Sequence, residues 1–275
     1  MITYMFPGQG SQFKGMGEDL FAQFPDEVAL AQDILGYPIY DLCISDPEQL
    51  LNNTAYTQPA LFVVEALSYQ SKYSQAKPDY CIGHSLGEYA ALYVAGAFDF
   101  ATGLKMVQKR GELMALATGG GMLAVVGLPV DRIKELLEQN GIDTVDFANY
   151  NSDKQTVLSG LAIDIGRANE VLAKEAMMCV PLNVSGAFHS RYMKPAAKEF
   201  AEYIAQFQMS PLQCHVIANV SGLPYTNEII HENLVKQIYN PVHWSDIIKY
   251  IKGKGDSEFI EVGPGNVLTR LMSQN

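Results

Sequence analysis

Positive charge is scarce in this chain. Its 275 residues carry 19 lysines and arginines against 30 aspartates and glutamates, a formal charge of −11. Such a surface repels phosphate backbones, so no nucleic-acid partner is expected without a local basic patch. Cysteine is scarce too. Cys43, Cys81, Cys179 and Cys214 stand far apart with no CxxC pair, which argues against a disulfide scaffold, a structural zinc site or any other metal centre. Charged residues make up only 18% while hydrophobic ones reach 48%, so disorder is excluded and a substantial core is affordable. No clean membrane span is present. Leu113–Val130 is uncharged and nearly long enough, but Gly119-Gly120-Gly121 and Pro129 interrupt it. Met1–Gly10 has no basic stretch and meets Pro7-Gly8 too early for a secretory signal. The expectation is a reduced, cytoplasmic protein with no membrane contact.

What is present alternates in type. Ile2–Phe6 reads as a buried strand, Met16–Leu35 as a helix and Gln58–Tyr69 as a second helix. Asp79–Ile82 reads as a strand, followed by helices over Leu86–Ala97 and Thr102–Ala117. Glu258–Val262 is a strand entering Gly263-Pro264-Gly265, and a last helix follows. This alternation predicts an α/β fold with a mostly parallel sheet covered on both faces. Residues 122–185 have their own rhythm. Strands at Met122–Val126, Val145–Ala148, Thr156–Leu158 and Met178–Val184 are interleaved with helices at Val130–Asn140 and Ile163–Ala176, and a turn is expected at Asn151-Ser152-Asp153. The order βαββαβ is ferredoxin-like. The expected organisation is a large domain of residues 1–121 and 186–275, carrying 122–185 as a small inserted domain.

Gly83-His84-Ser85-Leu86-Gly87 matches G-x-S-x-G and stands between a strand and a helix, where a sharp turn can lift a serine oxygen out of a sheet. The bland alternative is a serine N-cap between two glycines, and the context favours the nucleophile. A serine needs a base. His84 is its sequence neighbour and should point elsewhere. His231 and His243 sit in polar surroundings, and His215 in a short apolar strand suits a core histidine. His189 follows a strand and the turn Gly186-Ala187-Phe188, a good place for a catalytic loop residue. Spacing alone leaves it one candidate among five. Gly8-Gln9-Gly10-Ser11-Gln12 is neither a P-loop nor a dinucleotide fingerprint. It is either an ordinary strand-to-helix turn or one half of an oxyanion hole at Gln9, the other half being the amide of Leu86.

Six segments together resemble the malonyl-CoA:acyl-carrier-protein transacylase family, in family order and over nearly the whole chain. They are Phe6–Gln12, Gly83–Tyr89, Lys109–Met114, Gly186–Ser190, Gln237–Trp244 and Glu261–Gly265. Gly186–Met193 and the turn Gly119–Met122 look most like the discrete acyltransferases that serve modular polyketide synthases in trans. The housekeeping fatty-acid enzyme is the next most similar.

The resemblance implies an α/β-hydrolase-like large domain and a two-step reaction. Ser85 would be acylated by malonyl-CoA, and His189 would then activate the phosphopantetheine thiol of an acyl carrier protein. It further implies that a backbone carbonyl near Gln237, not a carboxylate, orients the histidine. Arg110 would grip the malonyl carboxylate, with Met114 in the same site, and Phe188 would favour malonyl over methylmalonyl. No resident cofactor is implied, malonyl-CoA being the acyl donor, and a monomer is expected. Lys154 and Arg191 are candidates for carrier-protein docking, although Arg191 could equally form an internal ion pair. A proofreading acyl hydrolase, a non-catalytic docking subunit and a simple esterase are the competing readings. Arg110 argues against the first, the intact Ser85, His189 and Arg110 against the second, and a missing acidic triad partner against the third.

Overall fold

The computed structural model describes residues 1–275. Its strands are β1 (Ile2–Phe6), β2 (Tyr80–Gly83), β3 (Gly120–Val126), β4 (Asp146–Ser152), β5 (Gln155–Leu161), β6 (Met178–Pro181), β7 (His215–Val216) and β8 (Glu258–Glu261). Its helices are α1 (Glu18–Phe21), α2 (Pro25–Leu35), α3 (Ile39–Ile44), α4 (Thr54–Lys72), α5 (Gly87–Val94), α6 (Phe100–Ala115), α7 (Val130–Gln139) and α8 (Ala162–Leu172). They continue with α9 (Lys194–Ile204), α10 (Ile230–Gln237), α11 (Trp244–Lys252) and α12 (Val267–Met272). None is long and apolar enough to cross a membrane.

The first sheet has the order β7-β2-β1-β8, and every pairing is parallel. Alternation along β1 explains its two faces. Tyr4 and Phe6 enter the main core with α4, α5 and α6, while Met5 enters a second cluster with Trp244, Ile247 and Ile251 of α11 and Leu268 of α12. Helices therefore cover both faces, as a parallel sheet requires. Because the strands are parallel, the segments leaving β1, β2, β7 and β8 emerge at one edge of the sheet, and the site lies there.

The second sheet, β4-β5-β3-β6, is antiparallel throughout. With α7 and α8 on one face it has the ferredoxin-like arrangement. Leu123, Val125 and Leu158 pack there with Ile133, Leu136, Ile165 and Leu172 as a separate small core. The opposite face sends Met122, Ala124, Ala148 and Val157 into the main core. We propose residues 122–185 as an inserted domain between 1–121 and 186–275, on the strength of that separate core.

Several boundaries differ from expectation for local reasons. The helix expected over Met16–Leu35 is two helices. Gly17 takes a left-handed φ of 79°, and Pro25, which cannot donate an amide hydrogen, starts α2 afresh. The helix expected at Gln58 begins at Thr54, because the Asn53 side chain caps it by accepting from the Ala55 amide at 3.1 Å. In like fashion Asp99 caps α6, accepting from Thr102, so that helix starts at Phe100. The hairpin turn is Asp153-Lys154, since β4 runs on to Ser152 opposite Gln155. Strand β6 stops at Pro181, where the ladder loses a donor. Gly120 and Gly121 belong to β3, and a Cβ at Gly120 would lie 2.2 Å from the Ala187 nitrogen, so the chain needs glycine to pass. His215 is not a core residue. It sits exposed on the edge strand β7, stacked on Tyr80 at 5.3 Å.

The glycines make a test. A Cβ on Gly83 would fall 1.9 Å from the carbonyl carbon of Gly87, whereas one on Gly166, in α8, would meet nothing within 4 Å. Gly83→Ala should abolish soluble, cooperatively folding protein. Gly166→Ala should gain about 0.5–1 kcal/mol of stability. Thermal and urea melts check both, and equal melting behaviour would refute the backbone contact at Gly83.

Candidate active site

Strand β2 ends at Gly83, and the chain reverses within three residues into α5. Ser85 pays for that reversal with a φ of 52°, a region that a side-chain-bearing residue seldom adopts. The helix closes up because Gly87 approaches β1, where a Cβ would lie 2.0 Å from the Phe6 carbonyl oxygen. Asn219, beyond β7, braces the turn. Its Oδ1 accepts from the Ser85 amide and its Nδ2 donates to the Gly83 carbonyl, both at 2.7 Å.

The Ser85 Oγ lies 2.7 Å from His189 Nε2. Nδ1 of the same ring faces two carbonyls, Gln237 O at 2.7 Å and Asn240 O at 3.2 Å. Carbonyls only accept, so Nδ1 carries the hydrogen, Nε2 is the acceptor, and the serine hydroxyl donates to it. No carboxylate stands behind the ring. Burial, then the Arg110 charge, pushes the His189 pKa down to about 3. The imidazole is thus a neutral base at neutral pH. His189 also holds a positive φ, 57°, so Ser85 and His189 both sit on strained backbone.

Arg110 comes from α6 and is 1% exposed. Its Nη1 donates to Gln58 Oε1 at 2.5 Å, and its Nη2 to Gln237 Oε1 at 2.8 Å and to Ser85 Oγ at 3.1 Å. The guanidinium stacks over the Tyr89 ring at 5.6 Å. It forms no ion pair, and its Nε has no acceptor. Burial draws its pKa below the ordinary value.

Gln237 is fully buried at the end of α10. Its Nε2 donates to the Ser85 carbonyl at 2.7 Å and to Glu88 Oε2 at 2.5 Å. Both are acceptors, so the amide oxygen must face Arg110. Glu88 also accepts from the Asn219 amide at 2.7 Å and from the Tyr225 hydroxyl at 3.0 Å. Burial pushes its pKa up to about 7, against the pull of those donors and of Arg110.

A cavity of about 90 Å³ opens on Ser85, His189 and Arg110, with Gln9, Leu86, Met114 and Phe188 in its wall. The Gln9 and Leu86 amides donate to nothing within the chain. The Gln9 side chain is held by Thr54 Oγ1 at 2.8 Å, and Met114 Sδ accepts from Gln58 at 3.5 Å. All eight expected residues thus meet in one place. His84 also lines this cavity, but its ring bonds Asn151 at 3.0 Å and leans on Trp244. His231 bonds the Phe207 carbonyl and His243 pairs with Asp246. Arg191 is tied to Asp146 at 2.5 Å, whereas Lys154 is exposed and forms no ion pair. No cluster of three His, Cys, Asp or Glu side chains suited to a metal is present.

Glu88, Asn219, Gln58 and Asn149 belong to the site and escaped sequence reasoning. Glu88 had a readable signal, a lone carboxylate in the otherwise uncharged stretch Leu86–Val94. Asn149, whose Oδ1 is buried without a partner in the cavity wall, had none.

The model of the acyl transferase domain matches residues 3–275. The chain is 51% identical to the polyketide biosynthesis malonyl CoA-acyl carrier protein transacylase BaeC of Bacillus velezensis, over 99% of this chain and 96% of that one. It is 39% identical to the malonyl CoA-acyl carrier protein transacylase of Bacillus subtilis, over 99% and 90%. Among solved structures it resembles the malonyl CoA-acyl carrier protein transacylase of Burkholderia pseudomallei with a TM-score of 0.96 and 45% identity, covering 100% and 97%. It also resembles a malonyl-transacylase solved in complex with its type II polyketide acyl-carrier protein, with a TM-score of 0.92 and 36% identity over 99% and 92%.

Two outcomes follow from the geometry. The His189 ring should stay neutral from about pH 8 to about pH 5, with no NMR titration midpoint near the free value. A depressed pKa means the unfolded chain binds the proton first. Its contribution to stability is therefore full above 6.5 and is lost as the pH falls toward about 3. Glu88→Gln should fold yet set an amide donor against the Gln237 amide. Losing a buried hydrogen bond of this kind costs about 1–3 kcal/mol, so the labelling of Ser85 by a small sulfonyl fluoride should slow about tenfold or more. Wild-type labelling rates would remove Glu88 from the site.

Proposed function

This chain belongs to the acyl transferase domain family and is an acyltransferase; from that premise we propose that it moves a malonyl group from malonyl-CoA to the phosphopantetheine thiol of an acyl carrier protein. The observation that carries the malonyl assignment is Arg110, a buried guanidinium with an unused Nε and no counter-charge, 3.1 Å from the nucleophile. In an ester on Ser85 the free carboxylate of a three-carbon diacid sits two bonds beyond the carbonyl carbon. A planar fork at that range can receive it bidentately.

The steps follow from the hydrogen bonds. Ser85 Oγ attacks the thioester carbon while its proton passes to His189 Nε2. The imidazolium that forms is stabilised by the Gln237 and Asn240 carbonyls. The developing oxyanion points at the unclaimed amides of Gln9 and Leu86. The CoA sulfur leaves with the proton from His189, and malonyl remains on Ser85. The carrier-protein thiol then repeats the sequence in reverse, giving its proton to the same nitrogen. As the carboxylate arrives, Arg110 Nη2 exchanges the Ser85 hydroxyl for it, which frees the nucleophile's lone pair. The cavity of about 90 Å³ suits a short acyl chain, and Phe188 in its wall crowds an α-methyl group, favouring malonyl.

The higher identity to the polyketide enzymes than to the housekeeping ones supports a role in trans for a polyketide synthase. One chain supplies every site residue, which supports a monomer, and its setting is taken as the cytoplasm. Lys154, exposed and unpaired on the hairpin, remains the candidate for carrier docking, while Arg191 is committed to Asp146.

The test is acyl loading followed by intact mass. Arg110→Ala should lose malonyl loading by a factor corresponding to about 2–5 kcal/mol while keeping acetyl loading. Ser85→Ala should take up neither. If the malonyl and acetyl rates fall together in Arg110→Ala, the carboxylate assignment is wrong.

A further inference from the structure

Two of the four cysteines meet at the far side of the parallel sheet. Cys81 lies within β2 and Cys214 immediately precedes β7, and their sulfurs are 3.7 Å apart. Cys81 is fully buried. Cys214 is partly exposed on the wall of an open cavity of about 360 Å³ that it shares with Leu212, Gln213, Tyr225 and Thr226. A small molecule can therefore reach one sulfur and not the other.

The two thiols also differ in character. Its hydrogen bond with Cys81, with Lys77 nearby, draws the Cys214 pKa below the ordinary thiol value. Burial and the neighbouring sulfur hold that of Cys81 well above it. Cys43 and Cys179 are both raised by burial alone or nearly so. An accessible thiol of lowered pKa backed by a buried thiol is the arrangement of an attacking and a resolving cysteine.

We propose that Cys214 and Cys81 are an oxidisable dithiol, closing to an intrachain disulfide when a small-molecule disulfide enters this cavity, and that closure slows the acylation of Ser85. Cys214 thiolate attacks one sulfur of the incoming disulfide, forming a mixed disulfide and releasing one small thiolate. The Cys81 thiol then attacks Cys214 sulfur, giving up its proton to the departing second thiol. The protein dithiol loses two electrons and two hydrogens, and the small disulfide becomes two thiols.

Closure is felt at the elbow because of where the two segments lead. A disulfide holds its sulfurs about 2.0 Å apart, so the pair must draw closer than its present contact. Two residues past Cys81 is Gly83, whose carbonyl accepts from Asn219. Five residues past Cys214 is Asn219 itself, whose Oδ1 holds the Ser85 amide. The cross-link thus shifts one half of the brace against the other, and small displacements of a nucleophile cost rate steeply.

The disulfide itself is tested without any acyl substrate. Full-length protein is incubated with oxidised glutathione, its free thiols are alkylated, and its mass and peptides are measured. The expected product has lost two hydrogens, carries a Cys81–Cys214 cross-link and keeps Cys43 and Cys179 free. Cys81→Ser should instead retain glutathione on Cys214, and Cys214→Ser should remain reduced. Malonyl loading of the oxidised wild type should fall about tenfold, recover with dithiothreitol, and stay unchanged in Cys214→Ser given the same treatment. Four free thiols after treatment, or a persisting mixed disulfide in the wild type, overturns the dithiol. A cross-linked protein that loads malonyl at the full rate overturns the control of Ser85. The loading arm rests on the proposed function, and a protein that never loads malonyl, oxidised or reduced, would fault that reading and leave the cross-link standing.

Discussion

A guanidinium buried without a counter-charge is the costly element around which the rest is built. Water is denied to Arg110, so its charge must be met by oriented dipoles. Gln58 and Gln237 supply amide oxygens, the serine supplies its hydroxyl, and Tyr89 supplies a ring face. A full carboxylate in contact would satisfy the cation better but would also compete with an anionic substrate. Glu88 stands one residue further back, bonded to Gln237 and not to Arg110, with a pKa near neutrality. It fixes the amide that faces the cation while leaving the cation unpaired. The same positive charge helps hold His189 neutral, so the proposed carboxylate grip and the proposed base are coupled through one side chain.

Ser85 and its brace depend on strand direction. Parallel strands deliver Phe6, Gly83 and Asn219 to one edge, and the close passage of Gly87 over the Phe6 carbonyl is available only there. The antiparallel sheet contributes differently. Its inner face presents Met122 and Asn149 to the cavity, closing the pocket from above without adding a titratable group. Chemistry resides on the parallel sheet and confinement on the antiparallel one.

The sequence made the nucleophile and both sheets readable because each has a local signature: glycines around Ser85, period-two alternation in β1, and the βαββαβ order. Arg110 was different. Only the family resemblance set it apart from the other basic residues of its helix, Lys105 and Lys109. Gln237 likewise entered only through the resemblance, since its burial is decided by α10 meeting the elbow, a contact across 152 residues. Asn219 and Glu88 act through each other at a separation of 131 residues, and no window of sequence contains both. The errors in element ends had simpler origins, in caps at Asn53 and Asp99 and in prolines at 25 and 181, which periodicity does not register. His215 was misjudged because β7 is an edge strand, and edge position is a property of the assembled sheet.

Gln237 serves the site twice, through its main-chain carbonyl on His189 and through its side chain on Arg110, Ser85 and Glu88. Replacing its side chain leaves the carbonyl in place. The half that holds the His189 ring is consequently invisible to point mutation, and only the side-chain half, which meets Arg110 in the proposed acyl site and braces Ser85, is open to genetic drift. A lineage can therefore explore new acyl groups at this position without first dismantling its base. Substrate range becomes the evolvable trait and the reaction itself the inherited one, separated within a single amino acid by the difference between backbone and side chain.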